Sequence, residues 1–234
     1  MVEQGDCAFT VYETDRVPGE VLSQVKAVFA ENYRDANIGY LEKNLGKLRF
    51  LSIARDPTGT TAGFSLGEAR VMDLPRLPRA TVNLAGLCCV SGPFRRHGLF
   101  GKLEGLCREA SQVPSAERML SCGRTAHPAS FRGMARNPSG VPKRGHRPTE
   151  WQKEVGIAVA EAYGSPGFDA ETFVVKGSGT PIGWPVIEIE ATPEEWELFA
   201  PVDRAKGDSL LGIAWNPTPP EGWVEHGRVS ESRP

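Results

Sequence analysis

One segment, residues 84–110, most constrains what this chain can fold into, because a strand, a turn and a helix follow one another there without interruption. The run from Val82 to Val90 has one strongly polar side chain, Asn83, and favours a strand covered on both faces. The tripeptide Ser91-Gly92-Pro93 can continue neither element. Apolar residues then recur at helical spacing: Leu99, Leu103, Leu106, Cys107 and Ala110.

The turn between this strand and helix is basic and contains glycine. A helix N-terminus presents backbone N–H groups that have no partner within the helix, and its partial positive charge favours an anion. Arg95 and Arg96 add two full positive charges beside it. The segment therefore predicts a phosphate-binding site.

This turn resembles the acyl-CoA signature of the GCN5-related N-acetyltransferases, the GNAT superfamily. That signature reads Arg or Gln, two residues, Gly, one residue, then Gly or Ala; Arg95 and Gly98 match it, whereas Phe100 stands where the family has a small residue. In the family, the turn amides hold the CoA pyrophosphate, and the preceding strand pairs with pantetheine. The resemblance therefore implies two sets of cofactor-binding residues: Leu87, Cys88, Cys89 and Val90 for pantetheine, and Arg95, Arg96, His97, Gly98, Leu99 and Phe100 for the pyrophosphate.

The order of predicted elements follows the same family over residues 8–136. Before the segment, the patterns predict a strand, two helices and two strands, at 9–14, 18–32, 38–48, 48–54 and 62–71. After it, they predict a strand at 119–125 and a short helix through Ala135. The predicted fold class is α/β (α+β): a GNAT-like, mixed but mostly antiparallel central sheet flanked by helices, with an inserted helix and an extended C-terminal part.

The remaining chain is predicted to complete the same domain. The predicted divisions are an acyl-CoA-binding core at 1–136, an inserted loop and helix with C-terminal strands at 137–216, and a loose tail at 217–234. Within the second division, capping-box spacing predicts helices that begin at Thr149 and Thr192. Strands are expected at 173–175, 186–189 and 210–215.

Residues 118–147 contain seven Lys or Arg and no acidic residue. This stretch is either a positive rim for the adenosine-phosphate end of CoA or for an acidic acceptor, or a solvated loop without a specific role.

The composition excludes several classes of function. The chain is 40% hydrophobic with a net charge of -2, which leaves no basic excess for nucleic acid. No apolar run could span a bilayer, and the first residues lack the features of a signal peptide, so a cytoplasmic location is predicted. The five cysteines form no Cys-x-x-Cys pair, so neither a zinc site nor a disulfide framework is expected.

Acyl transfer needs a base for the amine, donors for the oxyanion and an acid for the departing thiolate. By the resemblance, the backbone N–H of Val90 is the oxyanion donor. Relatives often carry an acidic residue on the 82–90 strand, which has none here, so Glu68 on the preceding strand is the candidate base; the alternative is an exposed strand residue. Met134 stands where relatives often have a tyrosine acid, and His127 is the candidate substitute or an ordinary turn residue.

Two tyrosines lie where the family places its acceptor-binding segment, between the first two helices. Tyr33 and Tyr40 are the candidate substrate-binding residues, and the alternative for each is packing in the core.

The resemblance implies an acyl-CoA-dependent N-acyltransferase, most simply one that moves acetyl from acetyl-CoA to the amine of a small molecule by direct transfer in a ternary complex. No metal is expected, neither nucleic acid nor a membrane is an expected partner, and a homodimer is left open. The alternative is a non-catalytic acyl-CoA-binding regulatory or sensor module, which the missing tyrosine at Met134 favours. A different nucleotide enzyme is disfavoured because neither Gly-x-x-x-x-Gly-Lys-Ser/Thr nor Gly-x-Gly-x-x-Gly occurs.

Overall fold

The computed structural model describes residues 7–187 and 189–224. The chain forms two compact units that alternate along the sequence. Of the described residues, the first unit takes 7–70, 83–114 and 182–187, and the second takes 71–82, 115–181 and 189–224. The predicted limits at residues 136 and 216 stay predictions.

The strands and helices follow the predicted order closely. The strands are β1 (Ala8–Glu13), β2 (Tyr33–Arg34), β3 (Phe50–Arg55), β4 (Thr61–Leu74), β5 (Leu77–Val90), β6 (Met119–Thr125), β7 (Phe168–Asp169), β8 (Val174–Val175), β9 (Trp184–Pro185) and β10 (Ser209–Asn216). The α-helices are α1 (Gly19–Asn32), α2 (Ile38–Leu45), α3 (Leu99–Ala110), α4 (Pro128–Arg136), α5 (Glu150–Ala162) and α6 (Pro193–Glu197).

In the first unit, the strands lie in the order β1-β3-β4-β5, and β3 pairs antiparallel with both β1 and β4. Small residues alternate on the face of β4 that receives α3. A Cβ at Gly63 would lie 3.3 Å from a methyl carbon of Leu103, and one at Gly67 would lie 3.3 Å from Cβ of Cys107. The helix therefore packs close to the sheet, and the hydroxyl of Ser52 donates to the Leu103 carbonyl at 2.8 Å.

In the second unit, β10 pairs antiparallel with β6 and with β8, and β7 pairs antiparallel with β8. The inserted helix α5 begins with the predicted capping box: the Thr149 hydroxyl accepts from the backbone N–H of Gln152, whose side chain accepts from the N–H of Thr149. Such a box satisfies two N–H groups that the helix itself leaves without partners.

The described part of the predicted tail is packed rather than loose. Trp223 is fully buried, with its ring edge-to-face against Trp151 and Trp215 at centroid distances of 5.3 and 5.9 Å. Its indole N–H donates to the Ser139 carbonyl at 2.9 Å. Residues 225–234 lie outside the described residues.

Two strand predictions need correction. The expected strand at 186–189 is absent from its described residues, with Glu188 outside them; two residues earlier, β9 pairs antiparallel with β2. The proline at 185 and the short polar segment at 33–34 gave no pattern long enough to predict this pairing. The strands β4 and β5 also continue to Leu74 and from Leu77, so they form one long hairpin.

Candidate functional site

The turn between β5 and α3 has the geometry of an anion site. Its residues Arg96 and Gly98 both adopt the left-handed conformation, with φ of 68° and 75°. Successive N–H groups in such a turn converge on one point and form an anion-binding concavity. Gly98 is the N-cap of α3, and no side chain caps the helix in the described part of the chain. The N–H groups of the first turn of α3 are thus directed to the outside of the turn.

The two arginines of the turn differ in their placement. Arg95 points inward: its Nε donates to the Val90 carbonyl at 3.1 Å and its Nη2 to Oδ1 of Asn32 at 3.3 Å. Arg96 is exposed, and Phe100 is exposed over 53% of its surface. The side chain of Arg95 therefore stabilises the turn, and Arg96 is the guanidinium that lies at the surface beside the uncapped N-terminus.

The other predicted pyrophosphate residues divide by burial. Leu99 is 2% exposed and belongs to a core cluster with Ala54, Ala62 and Leu103, so only its backbone could contact a ligand. His97 is partly exposed. Their predicted cofactor contacts stay predictions.

The strand that the resemblance assigns to pantetheine, β5, has an irregularity near Leu87. A Cβ on Gly86 would meet Cβ of Leu66 at 2.9 Å, on the face of the sheet away from α3. Val90 instead packs on the core cluster that contains Leu99 and Leu103 of α3, and Cys88 has Ser65 and Cys107 among its electrostatic neighbours, so both lie on the α3 face. Because alternate residues of a regular strand share a face, this switch indicates a β-bulge between Gly86 and Cys88. A bulge turns backbone N–H groups out of the ladder, which suits a strand that binds a ligand by its main chain.

The two adjacent cysteines lie on opposite faces, as strand geometry predicts. Cys89 is buried near Arg95 and Glu31, on the face opposite Cys88. Burial raises the pKa of both thiols well above the usual range. Both side chains are therefore neutral thiols at physiological pH and poor nucleophiles.

Tyr33 and Tyr40 lie near each other and near the two adjacent cysteines of β5. The Tyr33 ring packs 4.7 Å from that of Phe29, and burial raises its pKa, with Cys89, Tyr40 and Cys88 adding to the shift. The structure thus places both predicted substrate-binding tyrosines near the cysteines of β5. Their predicted contact with an acceptor stays a prediction.

The segment 182–186, which the sequence did not associate with this region, packs against residues 32–37. Ile182 accepts a backbone hydrogen bond from Asn37 at 3.0 Å, and the Val186 N–H donates to the Asn32 carbonyl at 2.8 Å. Between them, Gly183 has φ of 123°, and its α-carbon lies so close that a Cβ would be 3.0 Å from Cβ of Tyr33. Only a glycine allows this approach, which is the one local signal that could have revealed the contact.

The candidate base Glu68 is buried rather than exposed, at 8% of its surface, and forms an ion pair with Arg70. Its neighbour Gly67 faces Cys107 of α3, so Glu68 lies on the opposite face, which is also the face of Cys89 and Tyr33. The alternative of an exposed strand residue is therefore wrong, while the catalytic role itself stays a prediction.

The candidate acid His127 caps a helix. Its Nδ1 accepts from the backbone N–H of Ala129 at 3.2 Å, at the N-terminus of α4. Burial lowers its pKa, and the cations of Arg204 and Arg132 lower it further. The ring also packs edge-to-face on Trp196 at 5.2 Å, an aromatic partner that the sequence did not reveal. His127 is therefore neutral at pH 7, and its catalytic role stays a prediction.

Glu104 on α3 is a perturbed carboxyl that the sequence reading missed. Burial raises its pKa from 4.5 to about 7, the nearby cation of Arg108 opposes this shift, and Cys88 and Cys107 are its electrostatic neighbours. A polar residue beside the apolar stripe of a helix looks solvated in sequence, because the strand that buries it is not visible there.

This pKa predicts how stability depends on pH. The folded protein binds the Glu104 proton more tightly than the unfolded chain, so stability falls as pH rises from 4.5 to about 7. Replacement Glu104→Gln should raise the free energy of unfolding at pH 8 by about 1–2 kcal/mol, discounted for partial exposure, and leave it unchanged at pH 4. Urea unfolding of both proteins at pH 8 and at pH 4 measures this difference in the free energy of unfolding. The exposed Glu109→Gln on the same helix is the control, and equal shifts in both variants would disprove the assignment.

Within the described ranges, no group of three or more His, Cys, Asp or Glu side chains could hold a metal ion. No helix there combines the length and apolar character that crossing a bilayer requires. The cytoplasmic location stays a prediction.

The order of strands and helices, with a mostly antiparallel sheet flanked by helices, makes the fold GNAT-like and confirms the predicted fold class. No protein-family model and no curated protein matches the chain. Among solved structures, the chain is similar to a GNAT family N-acetyltransferase (YhbS) of Escherichia coli in complex with CoA, at 17% identity and a TM-score of 0.37, over 55% of this chain and 67% of that one.

Two further solved structures are similar at the same level. One is the NatC complex bound to Gag peptide and CoA, at 15% identity and a TM-score of 0.38, over 56% of this chain and 84% of that one. The other is an aminoglycoside N-acetyltransferase in complex with CoA, at 16% identity and a TM-score of 0.34, over 49% and 76%.

Proposed function

We propose that the protein is an acyl-CoA-dependent N-acyltransferase that transfers an acetyl group from acetyl-CoA to the amine of a small molecule. The observation that carries this proposal is the turn from Arg95 to Phe100, with its two left-handed residues and the uncapped N-terminus of α3. A concavity of backbone N–H groups at a helix start suits a diphosphate. Its position directly after a bulged strand suits a ligand that continues along that strand.

The donor would use the main chain more than side chains. In this proposal, the amides from Arg96 to the first turn of α3 bind the diphosphate, with the exposed Arg96 guanidinium beside it. The bulged stretch 87–90 pairs with pantetheine. The N–H of Val90 then donates to the oxyanion that forms at the thioester carbonyl.

The acceptor amine would meet the thioester on the face that carries Glu68 and Tyr33. The amine must lose a proton to attack, and Glu68 accepts it directly or through water. The new C–N bond forms as the C–S bond breaks, and the electron pair leaves with the CoA sulfur as a thiolate. Tyr33 and Tyr40 contribute an aromatic wall for the acceptor, and direct transfer takes place in a ternary complex.

Binding of the donor is tested by a variant of the turn. Gly98→Val places a β-branched side chain where φ is 75°, a conformation that costs L-residues about 1–2 kcal/mol and collapses the concavity. We expect acetyl-CoA to raise the Tm of the wild-type protein, and the variant to bind it at least ~10-fold more weakly, which corresponds to ~1.4 kcal/mol. Titration calorimetry with acetyl-CoA gives the ratio.

The control is Gly59→Ala, which introduces comparable strain at a φ of 85° in an exposed turn between β3 and β4. It should lower stability without changing the Kd for acetyl-CoA. If no CoA ester binds the wild-type protein, or if ATP or NAD binds in preference, the proposal is wrong.

A second candidate is a non-catalytic acyl-CoA-binding module. The observation that favours it is Met134, which has no hydroxyl at the position where relatives often carry the tyrosine acid. This module would bind acetyl-CoA with the same dependence on Gly98 but release no free CoA with any member of a broad amine panel. Turnover with one amine excludes it.

A further inference from the structure

The last turn of α1 is joined by side-chain hydrogen bonds to the turn between β5 and α3, which is called the donor turn below. Both carboxylate oxygens of Glu31 are used: Oε2 accepts from the Ser91 hydroxyl and Oε1 from the backbone N–H of Gly92, each at 2.8 Å. The next residue, Asn32, accepts from Arg95 at 3.3 Å. Three positions of the turn are thus tied to two adjacent residues of one helix.

These contacts act on the part of the turn that determines the directions of its amides. Ser91 and Gly92 come directly after the strand, and among residues 7–187 and 189–224 no side chain caps the other end of the turn, where α3 starts. Hydrogen bonds to a carboxylate are stronger than those between neutral groups. Glu31 therefore fixes the start of a loop in which the N–H groups of Phe94 and Arg95 also bond internally, to the carbonyls of Ser91 and Gly92.

A carboxylate at this place has a cost for a protein that binds an anion. Glu31 is exposed and repels a diphosphate bound nearby. It also takes the Gly92 N–H, which a ligand could otherwise use.

The same turn of α1 also contacts the segment 182–186, which packs beside Tyr33. The Asn32 carbonyl accepts from the Val186 N–H at 2.8 Å, and Tyr33 follows immediately. The end of α1 therefore contacts both the donor turn and the segment that covers residues 33–37.

We propose that Glu31 is a positioning residue for the donor, whose carboxylate holds the 91–95 turn in the conformation that presents the following amides to the diphosphate of CoA. The inference rests on the proposed function and adds a residue that the resemblance to a known family did not indicate. Glu31 acts through Ser91 and Gly92 rather than by contact with the donor.

The test compares acetyl-CoA with S-acetyl-pantetheine, which has the same reacting thioester but lacks the adenosine diphosphate part. Loss of two hydrogen bonds in Glu31→Ala should weaken binding of acetyl-CoA by ~10-fold or more. The KM for S-acetyl-pantetheine should stay within ~2-fold of wild type, because that donor makes no use of the turn. Glu31→Gln, which keeps an acceptor oxygen, should recover part of the affinity. A general loss of stability would affect both donors equally.

Glu20→Ala is the matched control, an exposed glutamate in the first turn of the same helix. Hydrogen exchange of the ligand-free proteins gives a second readout: amides of 91–98 should exchange faster in Glu31→Ala than in wild type or Glu20→Ala. Unchanged affinity for acetyl-CoA, or unchanged exchange in the turn, would overturn the inference. Failure of the wild-type protein to bind any CoA ester would instead overturn the proposed function, and the exchange result would still decide whether Glu31 holds the turn.

Discussion

Replacement of Glu68 by glutamine is expected to lower kcat for acetyl transfer by ~10²–10⁴-fold, the usual contribution of a positioned base. The amide keeps the size of the side chain but cannot accept a proton from the amine. Because Glu68 is buried on the face of Tyr33 and Cys89, no other carboxylate of the 61–90 hairpin shares its position. Single-turnover release of CoA from bound acetyl-CoA measures the chemical step.

Two further measurements separate a base from a structural ion pair. Glu109→Gln, on the exposed side of α3, should keep wild-type kcat. Raising the pH should partly recover the rate of Glu68→Gln, because a larger fraction of the amine is then already deprotonated. If Glu68→Gln has normal kcat but a lower Tm, then Glu68 serves its ion pair with Arg70 and the base is elsewhere.

Replacement of Gly86 by alanine is expected to destabilise the protein strongly. The added Cβ would lie 2.5 Å from Cδ1 of Leu48, 2.8 Å from the Leu66 carbonyl oxygen and 2.9 Å from Cβ of Leu66. Two of these three atoms belong to the backbone or to its first side-chain carbon and cannot move independently. Overpacking of this kind costs ~1–3 kcal/mol, or ~2–4 °C of Tm per kcal/mol in a chain of this size. Thermal and urea unfolding measure the loss.

The control for this variant is Gly105→Ala in the interior of α3. A Cβ there meets only the guanidinium end of Arg108, at 3.9 Å. Alanine in a helix interior is favoured over glycine by up to ~1 kcal/mol, so this variant should be more stable than wild type. An equal or smaller loss at Gly86 than at Gly105 would contradict the close packing of β4 and β5 at this point.

The strand–turn–helix segment was predictable because its information is local. Apolar residues at spacings of three and four define α3, and its bounds at Leu99 and Ala110 agree with the prediction. The bounds of β6 agree for the same reason. By contrast, β2 and β9 are two residues each, too short for a periodic pattern, and they exist because residues about 150 positions apart pair with one another.

The candidate site divides in the same way. The position of the basic glycine turn follows from the sequence, whereas the inward direction of Arg95 depends on Asn32, and no spacing rule connects these two residues. Glu104 resembles any surface glutamate until the strand beside it removes water and raises its pKa. By sequence, His127 could be an acid or an ordinary turn residue, and only the structure shows that its side chain accepts a hydrogen bond from the Ala129 N–H and caps α4.

By itself, the sequence determined the order of the elements, the fold class and the place of the basic glycine turn, because these depend on periodicity and on residues that break it. The tertiary structure alone decided which side chains meet. It buried Glu68 on the face of the sheet that also carries Tyr33 and Cys89. It placed the Glu31 carboxylate against Ser91 and Gly92, and it packed Trp223 of the predicted tail into the core. Such contacts join residues distant in the chain, and their energies come from burial and hydrogen bonding that exist only once the chain has folded.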